Sequence, residues 1–370
     1  LIPINDVKLQ YFAHKDEIDE TVQSVLNGGQ YINGAEVVSF AEHLGSYLGV
    51  KHVIPCGNGT DALTIALLAL NLDKDDEVIV PAFGYAAAVE VVLLLNLKPV
   101  FVDINPSTFN IDVTNLRGSI SSRTKVIIPI HLFGQCADMI GILGIAQQYN
   151  LFVVEDAAQS MGSKFNFEGT NHMSGTMGNI GCTSFFPSKN LSCFGDGGAV
   201  FTNDDHLASK IKMIANHGQN EKYHHQFIGL NSRLDTIQAA ILNVNLKYLE
   251  DNNSKRQLIA DRYSEALTDI KDITLPKTIS LSTHVYHQYS IMLSSEYMRD
   301  DLKQYLKRFG ISSIVYYPKP LNKQEAYFQE DEKNFENAEK VCRRILSLPI
   351  YPDLSLEDQH YVTKSISAYF

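Results

Sequence analysis

Residues 77–82, 99–104, 125–131 and 151–156 are near-continuous apolar runs, and stretches with helical patterning separate them at steady intervals. A strand with one wet face alternates apolar and polar residues. Unbroken runs of this length belong to strands covered on both faces. Strand, helix, strand, helix in this rhythm implies parallel strands joined by right-handed crossovers. The expected fold is α/β: a large domain with a mostly parallel central sheet flanked by helices, followed by a smaller α+β domain. The pattern changes near residue 254, which divides the chain into 1–253, including an N-terminal arm, and 254–370. Residues 1–15 read as extended, with Leu9, Tyr11 and Phe12 as anchors, and one long helix is expected from about Thr236 to Asn253.

With 370 residues there is ample chain for such a core. The 31 basic and 42 acidic side chains give a formal net charge of −11, which argues against a nucleic-acid surface. The longest apolar stretch, residues 86–97, is interrupted by Glu90 and Asn96, so no membrane span is expected. Residues 1–6 lack the basic-then-apolar layout of a signal peptide. The five cysteines are odd in number and none are spaced C-x-x-C, so neither a disulfide framework nor a metal site is expected and a cytoplasmic location is.

Chemistry concentrates where the strands should end. Gly57-Asn58-Gly59-Thr60-Asp61 joins a short strand to an apolar helix, a turn that can present free N–H groups to an anion. It is neither a Walker A loop nor G-x-G-x-x-G, since Ala62 stands where the third glycine would be. Tyr85 follows the strand at 77–82, and Asp156 and Gln159 follow the strand at 151–156. Ligands collect at such ends in open α/β sheets. A buried carboxylate there needs a cation or donor beside it, although a helix cap would also satisfy it. Ser184-Phe185-Phe186-Pro187-Ser188-Lys189 then sets one lysine before the glycine cluster Gly195-Asp196-Gly197-Gly198. By itself Lys189 reads equally as a surface lysine beside a hairpin. Phosphate turn, flat aromatic, carboxylate, amide, hydroxyl and lysine together form the set that pyridoxal phosphate requires.

These segments resemble the nucleotide-sugar aminotransferases of the DegT/StrS family, which have PLP fold type I of the aspartate aminotransferase superfamily. The likeness spans nearly the whole chain. It is carried by residues 57–63, Glu155-Asp156-Ala157-Ala158-Gln159, residues 184–191, residues 195–199 and Asn231-Ser232-Arg233-Leu234-Asp235. It implies that Lys189 binds the cofactor aldehyde as a Schiff base and later shuttles a proton between cofactor and substrate carbons. Asp156 pairs with the ring nitrogen, Gln159 meets the ring hydroxyl and Tyr85 lies against the ring. Thr60, the Gly59–Asp61 backbone and Ser184 hold the phosphate. Asn231 reaches the phosphate in a neighbouring subunit, which implies a homodimer with shared sites. The cofactor would alternate between pyridoxal 5'-phosphate and pyridoxamine phosphate, with glutamate as amino donor and a nucleotide-linked keto sugar as acceptor.

Lys222-Tyr223-His224 ahead of Gly229–Arg233 resembles the branch acting on dTDP-linked 3-keto-6-deoxy hexoses, with 4-keto sugars as the nearest rival. Tyr31, Phe186, Arg233, Tyr316 and Tyr317 are the candidate substrate contacts. Three positions depart from the family pattern. Phe186 stands where many relatives have tyrosine, Tyr316-Tyr317-Pro318 where many have His-Tyr-Pro, and Asn322 at a frequent histidine. A lysine at 189 separates the chain from dehydratase relatives that carry histidine there. An aminocyclitol aminotransferase and a non-enzymatic cofactor-binding regulator remain as other readings.

Overall fold

The computed structural model describes residues 1–327 and 333–370. A seven-stranded sheet forms its centre. Across the sheet the strands run His52–Cys56, Gly198–Thr202, Ile180–Ser184, Phe152–Asp156, Thr124–Ile127, Glu77–Pro81 and Lys98–Val102. Gly198–Thr202 is antiparallel to both of its neighbours, and the other pairings are parallel. Six strands therefore end on the same edge. The mostly parallel sheet read from the apolar runs is present.

Both faces are covered, which is why the strands read as unbroken apolar runs. Val78, Val80, Val126 and Val154 pack on one side with the helix Gly59–Ala69. Their alternates Ile79, Ile127 and Val153 pack on the other with the helix Met139–Tyr149. This is the period-2 alternation of a strand with apolar residues in both phases.

A separate core gathers Ile259, Tyr263, Tyr289, Ile291, Leu302, Leu306, Leu346 and Val362. It lies on a three-stranded sheet of Ile273–Thr274, Tyr289–Leu293 and Ile345–Leu348. The helix Leu249–Leu267 reaches both regions, with Leu249 in the core beneath the large sheet and Tyr263 in the second core.

Two local expectations are corrected. Residues 7–13 are helical, because Asp6 caps the helix Val7–Ala13 by accepting from Lys8 N–H. Leu9 and Phe12 are exposed rather than anchoring. The long helix expected to Asn253 breaks earlier, at Tyr248, between Thr236–Lys247 and Leu249–Leu267. Tyr248 is held from outside its own helix, by stacking on His14 at 3.6 Å between ring centroids and by a hydrogen bond to Glu17. Contacts more than two hundred residues away in sequence leave no local signal. The short hairpin Lys164–Phe167 with Thr170–Met173 also had no apolar pattern to announce it.

Gly181 lies in the central sheet where a Cβ would stand 1.8 Å from the Gly175 carbonyl oxygen. Backbone cannot retreat as a flexible side chain can. Gly181→Ala is expected to lower the denaturation midpoint by the equivalent of roughly 1–3 kcal/mol. Gly28, at the end of the helix Lys15–Gly28, has open space at its Cβ position. Gly28→Ala is expected to leave the urea midpoint unchanged or raise it slightly.

Candidate active site

A cleft of about 620 Å³ opens at the C-terminal edge of the sheet. Gly59, Thr60, Asp61, Tyr85, Asp156, Gln159, Ser184, Phe186, Lys189, Tyr316 and Tyr317 all line it. The structure therefore brings together eleven residues singled out from sequence, from five separate stretches of chain. Tyr31, Asn231 and Arg233 do not line the cleft. Tyr31 is half exposed and its carbonyl accepts from Thr236 N–H. Asn231 is exposed and bridges to Asn216.

The anion turn is a capped helix start. Asn58 Oδ1 accepts from Asp61 N–H at 2.8 Å. Among the described residues, the N–H groups of Gly59 and Thr60 have no partner, so two of the three expected donors point free and the third is occupied. The Asp61 carboxylate is turned to Ser232, whose Oγ donates to it at 2.5 Å and accepts from Gly57 N–H at 2.9 Å. A negative group is thereby tied back from the mouth of an anion site. Gly59 is close to the next strand: a Cβ there would be 2.8 Å from Ser184 Cβ. Only glycine lets the helix start and Ser184 share this corner.

Asp156 is the last residue of its strand and is buried. Burial pushes its carboxyl above the usual range, opposed first by the hydrogen bond from Ala158 N–H to Oδ1 at 3.0 Å and then by Lys189. Its Oδ2 has no protein donor among the described residues. Lys189 sits in the loop between strands Ile180–Ser184 and Gly198–Thr202. It faces the cleft rather than bulk water, and desolvation lowers its amine to about 8 against the opposing pull of Asp156. Gln159 Oε1 accepts from Phe133 N–H and its Nε2 donates to the Tyr317 hydroxyl at 3.1 Å, which ties the amide to the aromatic wall.

Behind this face lies a dense support. Glu155 and His131 are fully buried and paired at 2.8 Å. Glu155 also accepts from the N–H groups of Gly175, Met177 and Gly178. His131 Nδ1 accepts from Ala137 N–H, so Nε2 carries the proton that is donated to Glu155. On the other side of the lysine loop, Asn5 Nδ2 donates to the Ser188 carbonyl at 3.1 Å. Asn58, Ser188, Asp196, His287 and Gln288 also line the cleft and were not singled out. Asn58 had a signal, an N-cap residue directly before an apolar helix. His287 had none, since it comes from a lead-in to a strand of the second core.

The model of the DegT/DnrJ/EryC1/StrS aminotransferase family matches residues 13–367. A "UDP-2-acetamido-2-deoxy-3-oxo-D-glucuronate aminotransferase" of Pseudomonas aeruginosa is 45% identical over 96% of this chain and 96% of its own length. A "Pleiotropic regulatory protein" of Geobacillus stearothermophilus is 40% identical over 100% of this chain and 98% of its own. Among solved structures, Bacillus subtilis NtdA with its bound cofactor PMP superposes with a TM-score of 0.88 at 35% identity, covering 96% of this chain and 82% of that one.

A lysine lowered to about 8 is largely uncharged at a pH where surface lysines remain protonated. In cofactor-free protein, pulse labelling with an amine reagent followed by peptide mass spectrometry is expected to give Lys189 a titration midpoint near 8. An unperturbed lysine titrates at about 10.4, which sets the size of the expected separation.

Proposed function

Because the chain belongs to the DegT/DnrJ/EryC1/StrS aminotransferase family, we propose that it uses pyridoxal phosphate to move an amino group from glutamate to the 3-keto group of a nucleotide-linked hexose. The observation that carries the reading is the convergence at one sheet edge of a desolvated lysine, a buried carboxylate with a spare oxygen, and two free N–H groups beside a serine.

These residues fit the cofactor. The Gly59 and Thr60 N–H groups at a helix start, with the Ser184 hydroxyl across a gap that only glycine allows, suit a phosphate. Asp156 offers Oδ2 to a protonated ring nitrogen, and such a partner would offset the cost of burying the carboxylate. Tyr85 offers a flat side chain at the mouth of the cleft. When bound, pyridoxal phosphate supplies an aldehyde that carries the amino group and a ring that draws electrons from the substrate carbon. Lys189, with its lowered pKa, can act as a nucleophile and as a carrier of the proton near neutral pH.

The 3-keto position has two supports, the 3-oxo sugar named for the Pseudomonas aeruginosa relative and the likeness at Lys222-Tyr223-His224. They part at the nucleotide, uridine against thymidine. The proposal keeps the homodimer with Asn231 reaching across to the partner's phosphate site, the division into 1–253 and 254–370, and a cytoplasmic location. Five buried free thiols suit a reducing compartment. Among the described residues no helix is long and apolar enough to cross a membrane. The name of the Geobacillus stearothermophilus relative favours a second reading, a regulator that keeps the fold.

Purified protein given pyridoxal phosphate is expected to show a visible absorption band that glutamate bleaches; absence of the band would move the regulator reading to the front. UDP- and dTDP-linked 3-keto and 4-keto hexoses, assayed side by side for the amino product, test the acceptor, and turnover confined to 4-keto sugars would overturn the 3-keto reading. Lys189→Ala is expected to cut turnover by on the order of 10³-fold or more with an unchanged melting temperature. Asn231→Ala is expected to weaken cofactor binding about tenfold, the loss of one hydrogen bond to a charged group. Unchanged cofactor affinity would remove the shared site.

A further inference from the structure

His287 lines the same cleft as Lys189 and is otherwise buried, at 5% exposure. Its Nδ1 lies 3.2 Å from Asn190 Oδ1. The direction of that hydrogen bond follows from the far end of a chain of amides. The Met161 backbone carbonyl can only accept, so the Asn253 group facing it at 3.1 Å is Nδ2. Asn253 then presents Oδ1 to Asn190 Nδ2 at 2.7 Å, and the same Nδ2 donates to the Val285 carbonyl at 3.1 Å. Asn190 is left with its oxygen toward the imidazole. Nδ1 must therefore carry the hydrogen, and Nε2 must carry a lone pair.

That lone pair has no protein donor among the described residues, and the Lys189 amine has no hydrogen-bond partner among them either. An unpaired donor on a flexible four-carbon stem and an unpaired acceptor thus share one cleft, where leaving both unmade is costly. Burial keeps the ring neutral, with the Lys189 and Arg256 charges adding to the effect. The other charge bearing on Lys189 is the Asp156 carboxylate.

We propose that His287 is a positioning residue for Lys189, its Nε2 held as an acceptor by the Met161–Asn253–Asn190 chain to receive a hydrogen bond from the lysine amine. The inference rests on the reading of Lys189 as the working lysine. It adds a residue from the second region of the chain to the lysine's setting and assigns a purpose to a buried amide relay. The relay begins at Asn190, immediately after the lysine, so the same loop carries both the amine and the group that fixes the tautomer of its acceptor.

Cofactor-free protein serves for the test, so the result does not depend on whether pyridoxal phosphate binds. The titration midpoint of Lys189, read by pulse labelling and peptide mass spectrometry, is compared in wild type, His287→Phe and His287→Gln, each checked for an unchanged melting temperature. An acceptor for the ammonium raises its pKa, so loss of the acceptor in His287→Phe is expected to lower the midpoint by about one pH unit. Glutamine keeps an acceptor oxygen and is expected to restore the midpoint to within a few tenths of a unit. Asn190→Ala leaves the ring in place but frees its tautomer, and a smaller drop is expected. A wild-type midpoint in His287→Phe, or equal shifts in His287→Phe and His287→Gln, would overturn the proposal. If the labelling gives the expected order while no cofactor band forms, the hydrogen bond stands and the aminotransferase reading is what fails.

Discussion

The site depends on keeping one lysine out of bulk water without letting it collapse onto its nearest carboxylate. Desolvation lowers the Lys189 amine to about 8, and Asp156 pulls the other way. Had the carboxylate's pull won, the amine would titrate near the ordinary lysine value or above and hold almost no free base near neutral pH. Desolvation pushes Asp156 toward its neutral form. The hydrogen bond from Ala158 N–H opposes that drift more than Lys189 does. The two groups are thus poised by separate means, the lysine by its position in the loop and the aspartate by its place at a strand end.

Such poise requires rigid supports. Asp156 is adjacent to Glu155, whose buried carboxylate takes hydrogen bonds from His131 and three backbone N–H groups at 2.5 to 3.0 Å. A buried charge with four donors is locked in place, because breaking any one leaves a costly unsatisfied oxygen. His131 adds its backbone N–H to the Asp156 carbonyl at 3.0 Å, which clamps the strand end itself. The lysine loop is braced differently, by side chains from remote segments: Asn5 on the Ser188 carbonyl, and Gln10 on the Ser192 hydroxyl at 2.9 Å. The helix Val7–Ala13, read from sequence as extended, carries the second of these braces, Gln10.

How legible each part was follows from where its stabilisation comes from. Strand Glu77–Pro81 and helix Gly59–Ala69 are apolar enough to announce themselves, because burial on two faces selects every residue. Asp156, Ser184 and the Gly59 turn were legible because their chemistry sits at ends that those elements fix. The break at Tyr248 and the support from Asn5 were not legible, since each is a tertiary contact with a partner more than 180 residues away. His287 illustrates the same limit. Its neighbours Tyr286 and Tyr289 pack with the second core, and nothing local says that Asn190 and Asn253 will set its tautomer.

The two ends of the cleft differ in kind. The inner end is built from strand termini and a helix start, whose positions the sheet dictates. The outer wall is built from Tyr85 and Phe186, on loops that leave the sheet, and from Tyr316 and Tyr317, on a loop after the helix Glu296–Arg308. Tyr85 and Phe186 are 57% and 51% exposed, large apolar surfaces at the mouth of a pocket. The two-sided burial that made the sheet readable is absent at Tyr85 and Phe186. The lysine and the carboxylate thus lie where packing constrains the chain, and Tyr85 and Phe186 where it constrains the chain least.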